Sequence, residues 1–240
     1  MVERFREAWA RLLTPLARRL LAWGVTPDLV TWVGTAGVVA SALVFFPLGY
    51  LWIGALGVAL FAFSDMVDGQ MARLSKRTSA WGAFLDSSLD RVGDGAVFGG
   101  LALYFAGPGD SVLWTAVTLI ALVMGQVTSY VKARAESVGL TVPGGLAARA
   151  DRLLIVLAAA LLAGFGVPWV LQIALCLLAL ATIWTVGQRM HAVYRQSQQQ
   201  ESHQEQSHQQ PSHQQHSHQP AVEYPDHPDS SDPGAVGRDG

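Results

Sequence analysis

The 240-residue chain is 51% hydrophobic and 14% charged, its formal net charge is −2 and its mean hydropathy is +0.30. This balance is unusual for a soluble globular domain, so an integral membrane protein is the first hypothesis. The single cysteine, Cys176, excludes a framework of intrachain disulfides. No nucleic acid partner is expected.

The N-terminal residues 1–24 are predicted to form an amphipathic helix that lies in the lipid headgroup region. Apolar side chains recur there at roughly helical spacing with arginines between them, at Phe5, Trp9, Leu12, Leu16 and Leu20. Arginine and glutamate interrupt the apolar positions of MVERFREAWARLL, so we do not expect a signal peptide. An ordinary solvated helix is the alternative.

Six apolar segments follow, and several approach the roughly 20 residues that span a bilayer. They lie at 29–48, 51–71, 95–107, 112–131, 153–167 and 169–186. Positively charged residues accumulate on the cytoplasmic side, and all 16 lysines and arginines fit one topology with both termini in the cytoplasm. The sequence therefore predicts an all-α, multi-pass protein of the cell (plasma) membrane with six transmembrane helices.

The composition changes after Arg195. The following residues are rich in Gln, His and Ser, then in Pro and Asp, and contain too few apolar groups to fold. We predict a disordered cytoplasmic tail at 196–240, after a membrane domain at 25–195. Metal capture by the tail histidines is a weaker alternative, because the SHQ repeats are irregular and give no fixed ligand set.

Four aspartates form two pairs beside the basic turn between the second and third segments. Asp65 and Asp68 are three residues apart, and Asp86 and Asp90 are four apart, so each pair projects from one helix face. Carboxylates this close repel one another unless cations balance them, and hard divalent cations such as magnesium prefer oxygen ligands. Metals about 4 Å apart can clamp the attacking and leaving oxygens of a phosphoryl substitution. The pattern predicts a metal site for phosphoryl chemistry.

The same residues carry a family resemblance. DMVDGQMAR, then eight residues, then GAFLDSSLD resembles in full the DxxDGxxAR(x8)GxxxDxxxD signature of the CDP-alcohol phosphotransferases. The resemblance implies a six-helix membrane enzyme, usually a homodimer, that transfers a phosphatidyl or similar group from a CDP-linked donor to an alcohol. It also implies two divalent cations, Mg²⁺ or alternatively Mn²⁺, bound by Asp65, Asp68, Asp86 and Asp90, with Asp90 as the catalytic base.

The resemblance further places the donor's cytidine and diphosphate against the loop before the first span and the first half of the signature. The corresponding positions are Asp28, Leu29, Val30, Thr31, Gly69, Ala72, Arg73, Ser79 and Gly82. Other interpretations stay open. TPDLVT is also typical of a helix start, the small residues are also typical of helix packing in membranes, and Arg73 is also explained as a headgroup anchor.

Basic residues at the cytoplasmic ends of the last three spans form a candidate acceptor site, at Lys132, Arg134, Arg149, Arg152 and Arg189. A phosphorylated acceptor needs such cations, although each is also explained as a positive-inside anchor. Four segments of the sequence resemble one branch of the family, the actinobacterial phosphatidylinositol phosphate synthases: TPDLVT, SYVKARAESVGL, ADRLLIVL and GQRMHAVYR. That branch joins CDP-diacylglycerol to myo-inositol 1-phosphate and releases CMP. Asp94 lies outside the signature, and either orients an arginine or an inositol hydroxyl or forms a plain salt bridge.

The resulting hypothesis is a direct displacement in which Asp90 deprotonates the inositol hydroxyl that attacks the β-phosphorus of CDP-diacylglycerol. A CDP-diacylglycerol glycerol-3-phosphate phosphatidyltransferase is the alternative within the class, because glycerol 3-phosphate also needs a phosphate clamp. Outside the class, a cation transporter predicts acidic residues near mid-span, whereas these aspartates lie beside a basic turn. A non-catalytic scaffold is the third alternative.

Overall fold

The structure, a computed structural model, describes residues 13–75, 79–142 and 149–209, with side chains up to residue 202. Within those ranges all regular secondary structure is helical, which confirms the predicted all-α class. The helices are α1 (13–22), α2 (Pro27–Phe45), α3 (Leu51–Ala62), α4 (Ser64–Leu74), α5 (Ala80–Ala106), α6 (Val112–Ser137), α7 (Arg149–Gly164) and α8 (Val170–Gln209). The chain divides into two units, Met1–Ser197 and Gln198–Gly240.

Four stretches of the described residues are long and apolar enough to cross a membrane. They are Pro27–Phe45, Leu51–Leu74, Val112–Ser137 and Val170–Ser202. Large apolar side chains stay exposed on outer helix faces, such as Leu60, Leu154 and Trp184, and lipid contact explains exposure on this scale. The molecule is therefore a helical membrane protein. The other two predicted spans fall on α5, whose first half is rich in charge, and on α7, which has only 16 residues.

Helix α2 packs against α3, α4 and α5, while α3 also packs against α7 and α5 against α6. The main apolar core lies between these helices and the start of α8, and includes Phe46, Val58, Leu101, Val156 and Leu175. Buried threonines in α6 and α8 donate their hydroxyls to carbonyls of their own helix, which satisfies polar groups that lipid cannot.

Helix α1 packs against α4 through a smaller apolar cluster. Leu13 and Ala17 of α1 are buried with Val67 and Met71 of α4, and the side-chain amide of Gln70 donates to the hydroxyl of Thr14 at 3.1 Å. The rest of the predicted interfacial helix, residues 1–12, lies outside the described residues. Because α4 carries the first aspartate pair, the packing of α1 against α4 helps to hold that pair in position.

The starts of α2 and α5 are defined by side-chain caps. Thr26 accepts a hydrogen bond from the backbone N–H of Leu29, and Pro27 occupies the first turn of α2, which confirms the predicted helix start. Ser79 caps α5 by accepting from the N–H of Gly82 at 3.0 Å. Residues of both helix starts line a cavity together with Asp65, Asp68 and Asp86.

Helix α8 continues to Gln209, so residues 196–209 are helical where the sequence analysis predicts a disordered tail. The physical reason is that Gln and Glu have good helix propensity and extend a helix that is already nucleated. The remaining predicted tail, 210–240, lies outside the described residues.

Glycine at position 100 allows α2 and α5 to approach closely. A Cβ atom built there would overlap the carbonyl oxygen of Ala42 and lie 3.2 Å from a ring carbon of Phe46. We expect Gly100→Ala to destabilise the fold by about 1–3 kcal/mol, because the backbone of α2 must shift. Gly99→Ala is the matched control, since nothing lies within 4 Å of a Cβ built there. Thermal unfolding in detergent measures the difference, and equal melting temperatures would contradict the prediction.

Candidate active site

Three aspartates from α4 and α5 converge on one point. Asp65, Asp86 and Asp90 each offer a carboxylate oxygen, and these atoms lie within 4.8 Å of one another. Asp65 and Asp86 are exposed and Asp90 is half-buried. A set of carboxylate oxygens with open access fits a hard divalent cation, which supplies the charge that keeps such groups together. We call these three residues the acidic cluster.

The fourth predicted ligand, Asp68, lies outside this cluster. It is buried on α4, and its Oδ2 accepts a 2.6 Å hydrogen bond from the hydroxyl of Thr31 on α2. The sequence analysis places Asp68 with the other three carboxylates and Thr31 with the donor. In the structure these two residues are also joined to each other by this hydrogen bond.

A cavity of about 310 Å³ opens beside the acidic cluster, between the start of α2, α4 and the start of α5. Seven of the nine predicted donor-binding residues line it, together with Asp65, Asp68 and Asp86: they are Asp28, Thr31, Gly69, Ala72, Arg73, Ser79 and Gly82. The other two do not. Leu29 is 52% exposed, and Val30 packs against the apolar cluster between α1 and α4.

A second cavity, of about 390 Å³, also borders the first aspartate pair. It shares Thr31, Asp65 and Asp68 with the first cavity and adds Asp90 and Arg149. Most of its remaining lining is apolar and comes from α2, the α3–α4 junction and α7. The first aspartate pair therefore borders both a cavity lined by several polar side chains, called the polar cavity below, and a largely apolar one.

Arginines of α7 join the acidic cluster through a chain of ion pairs. Arg149 Nη1 lies 2.7 Å from Asp90 Oδ1, and its Nε donates to Asp94 Oδ1 at 3.2 Å. The other oxygen of Asp94 accepts from Arg152 Nη2 at 2.9 Å. Asp94 therefore contacts two arginines at once. This fits either of its predicted roles that involve arginine.

Arg189 of α8 is buried, with Nη1 donating to the backbone carbonyl of Thr128 on α6. Its Nε has no hydrogen-bond partner among the described residues. Arg152 is a like-charged neighbour of Arg189. A buried guanidinium N–H without a partner is costly, so a ligand that accepts from this atom is the simplest resolution.

The remaining two predicted acceptor residues lie at the exposed end of α6. Lys132 Nζ is 3.8 Å from Glu136, and Arg134 Nη1 donates to Ser137 at 3.3 Å. These contacts are within one helix and do not join either residue to the chain of ion pairs.

The comparison with known families decides which class this geometry belongs to. Residues 24–186 match the family described as CDP-alcohol phosphatidyltransferase. The chain belongs to this family.

Within the CDP-alcohol phosphatidyltransferases, the chain is similar to curated proteins named phosphatidylinositol phosphate synthase. It is 55% identical to the protein of Cutibacterium acnes over 203 residues, which cover 81% of this chain and 98% of that protein. It is 52% identical to the protein of Streptomyces avermitilis over 203 residues, which cover 82% and 83% of the two chains.

Solved structures of one such enzyme share its fold. The structure of Mycobacterium tuberculosis phosphatidylinositol phosphate synthase with CDP-DAG bound superposes with a TM-score of 0.74, at 45% identity, over 77% of this chain and 94% of that one. A structure of the same enzyme in complex with manganese and citrate gives a TM-score of 0.71 at 44% identity, over 76% and 88% of the two chains.

The sequence analysis of this CDP-alcohol phosphatidyltransferase did not predict the residues that lie beside the arginines of α7 and α8. A Cβ built at Gly125 of α6 would lie 3.4 Å from Cζ and Nε of Arg152, and one at Gly93 would lie 3.8 Å from Arg149 Nη2. Thr128, whose carbonyl receives Arg189, was also missed. No local signal marks these positions, because small residues are common throughout membrane helices.

Proposed function

We propose that this chain is a phosphatidylinositol phosphate synthase, which transfers the phosphatidyl group of CDP-diacylglycerol to myo-inositol 1-phosphate and releases CMP. Sequence identities of 55% and 52% to two curated proteins of that name support the proposal. The observation that carries it is the direct link between the acidic cluster and the basic residues, through Arg149 and Asp94. That link puts a phosphate clamp beside the carboxylates that suit phosphoryl chemistry.

The polar cavity is the proposed site for the CDP part of the donor. Gly69, Ala72 and Gly82 leave room for the nucleotide, and Arg73 contributes a cation for the diphosphate oxygens. Leu29 and Val30 take part only through the backbone at the start of α2. The diacylglycerol part extends sideways into lipid, so the donor remains in the membrane during the reaction.

Two divalent cations, Mg²⁺ with Mn²⁺ as the alternative, are the proposed cofactors. Asp65, Asp86 and Asp90 supply the ligands, and Asp68 joins them through Oδ1 while its Oδ2 stays bonded to Thr31. When bound, the cations supply positive charge to the oxygens of the transferring phosphoryl group and of the departing CMP.

The proposed acceptor clamp consists of Arg149, Arg152 and Arg189, which hold the phosphate of inositol phosphate. Charge-assisted bonds from guanidinium groups suit phosphate oxygens, and the unpartnered Nε of Arg189 is one donor available to them. Lys132 and Arg134, exposed at the end of α6, attract the anion to the entrance.

The proposed reaction is a direct displacement without a covalent enzyme intermediate. Arg149 fixes Oδ1 of Asp90, and we assign Oδ2 to accept the proton of the inositol hydroxyl. The hydroxyl oxygen forms a bond to the β-phosphorus of CDP-diacylglycerol as the bond from that phosphorus to the CMP oxygen breaks. The products are phosphatidylinositol phosphate and CMP.

The proposed topology has six spans, with α5 and α7 crossing in addition to the four stretches described above. The apolar second half of α5, and the position of α7 within the core, support this. We further propose that residues 25–195 form a domain of the plasma membrane and that this domain forms a homodimer. Residues 1–24 lie in the cytoplasmic headgroup region, and the active site faces the cytoplasm. Protease or thiol labelling in sealed vesicles tests the orientation.

The test of the proposed function is CMP release by the purified protein with CDP-diacylglycerol and Mg²⁺. The acceptors myo-inositol 1-phosphate, myo-inositol and glycerol 3-phosphate are supplied in parallel. Release only with inositol phosphate is expected. Release only with glycerol 3-phosphate would retain the acidic cluster and replace the acceptor, and no release with any acceptor would contradict the proposal.

Thr31→Val is expected to weaken metal binding by roughly tenfold or more, the usual effect of losing a group that orients a ligand. The reason is that Thr31 donates to Asp68 at 2.6 Å and so orients this carboxylate. Thr31→Ser keeps the hydroxyl and is the control, with affinity near wild type. Calorimetric binding of Mn²⁺ and activity against Mg²⁺ concentration measure the effect. An unchanged affinity in the valine variant would remove Thr31 from the metal site.

A further inference from the structure

Asp94 lies one helical turn beyond Asp90 on α5, and only 4% of it is exposed. Its two carboxylate oxygens are divided between two arginines of α7: Oδ1 accepts from Arg149 and Oδ2 from Arg152. Arg149 and Arg152 are three residues apart, so they share a helix face and repel each other unless an anion lies between them. Asp94 is that anion.

We propose that Asp94 is the positioning residue that aims both arginines at the phosphate of the acceptor, and so makes the enzyme selective for a phosphorylated alcohol. The inference rests on the proposed function. Asp94 itself does not touch the acceptor. It holds one edge of each guanidinium, which keeps Nη1 of Arg149 on Asp90 and leaves Nη2 of Arg149 and the other donors of Arg152 to the phosphate.

The surroundings of the two guanidiniums favour this role over that of a plain salt bridge. Arg149 contacts two carboxylates, one of them in the acidic cluster, so its position couples Asp94 to the proposed base. Arg152 borders Gly125 and is a neighbour of Arg189, whose Nε has no partner among the described residues. A salt bridge that served only to join α5 to α7 would need one arginine and no adjoining cation.

Asp94→Asn is the decisive variant, because it preserves shape while it removes the charge that separates the two arginines. We expect its KM for inositol phosphate to rise at least about tenfold, and the inhibition constant of inorganic phosphate to rise by a similar factor. The KM for CDP-diacylglycerol is expected to stay within about twofold. Asp151→Asn makes the same change of charge at an exposed position of the first turn of α7 and should leave all three constants unchanged.

An equal rise in both KM values, or a lower melting temperature with unchanged constants, would reduce Asp94 to a structural salt bridge and overturn the inference. A double variant, Asp94→Asn with Arg152→Gln, should raise the KM for inositol phosphate by less than the product of the two single-variant factors, because Asp94 acts in part through that arginine. A further tenfold loss in the double variant would contradict this.

Asp94→Glu decides the matter if the asparagine variant does not fold. It retains the charge but moves the carboxylate by one methylene, so the same selective rise in the acceptor KM is expected. An unchanged acceptor KM would overturn the inference. Wild-type protein that releases no CMP with inositol phosphate contradicts the proposed function before any variant is made, and the inference then falls with it.

Discussion

Asp90→Asn is expected to lower the rate of CMP release at least about a hundredfold, the usual minimum for loss of a general base. The amide has nearly the same shape, and its oxygen can still accept from Arg149, which lies 2.7 Å from Asp90 Oδ1. The amide cannot take up the hydroxyl proton, however. The fold should therefore survive, and the loss should appear in kcat at saturating concentrations of both substrates.

The control for this variant is Asp110→Asn, which removes a carboxylate from the turn before α6, remote in sequence from the cluster. It should retain wild-type turnover. Asp90 belongs to the acidic cluster, so loss of a metal ligand must be separated from loss of a base. Raising the Mg²⁺ concentration restores a rate that was lost through metal affinity, whereas it does not replace a base. Turnover within tenfold of wild type would remove Asp90 from the base role.

The spacing of the aspartates predicted all three members of the acidic cluster, because helix geometry alone determines which side chains share a face. Asp86 and Asp90, four residues apart, do converge with Asp65. Spacing does not determine which hydrogen-bond partner each carboxylate has in the folded protein. Asp68 bonds to Thr31, which is 37 residues away in the chain, and that contact depends on how α2 crosses α4.

The basic residues show the same limit more strongly. Charge at the ends of apolar segments predicted five candidates, but positive-inside anchors and ligand-binding residues have the same sequence pattern. In the structure these residues differ in burial: Arg152 and Arg189 are buried, whereas Lys132 is exposed and pairs within its own helix. Asp94, which organises two of the arginines, has the spacing of an ordinary helix-face residue, so only its ion pairs with Arg149 and Arg152 distinguish its role.

Hydropathy predicted the positions of the helices better than their limits. The apolar segment at 95–107 corresponds to the second half of α5, which begins at Ala80 and carries the second aspartate pair in its polar half. A window that averages apolar content cannot include such a half-helix, because its charges lower the average, although two of them, Asp90 and Asp94, form ion pairs with Arg149 of α7.

Arg152→Gln is expected to raise the KM for inositol phosphate by between about tenfold and a hundredfold, since hydrogen bonds to charged groups contribute about 1.5–3 kcal/mol. Arg152 is only 3% exposed and pairs with Asp94 at 2.9 Å, so a substrate phosphate that it binds is shielded from water. Glutamine keeps a donor but loses the charge. The KM for CDP-diacylglycerol should remain within about twofold, because Arg152 does not line the polar cavity proposed for the CDP group.

Two matched variants separate charge and geometry from a general effect of lost cations. Arg195→Gln removes an exposed arginine from α8 and should leave both KM values unchanged. Arg152→Lys keeps the charge but not the planar fork, so it cannot bond Asp94 and phosphate along two edges at once, and an intermediate KM is expected. An equal rise in both KM values for the glutamine variant would make Arg152 a structural residue. In that case Arg149 and Arg189 alone would form the clamp, and glycerol 3-phosphate, which also carries a phosphate, would become the stronger acceptor hypothesis.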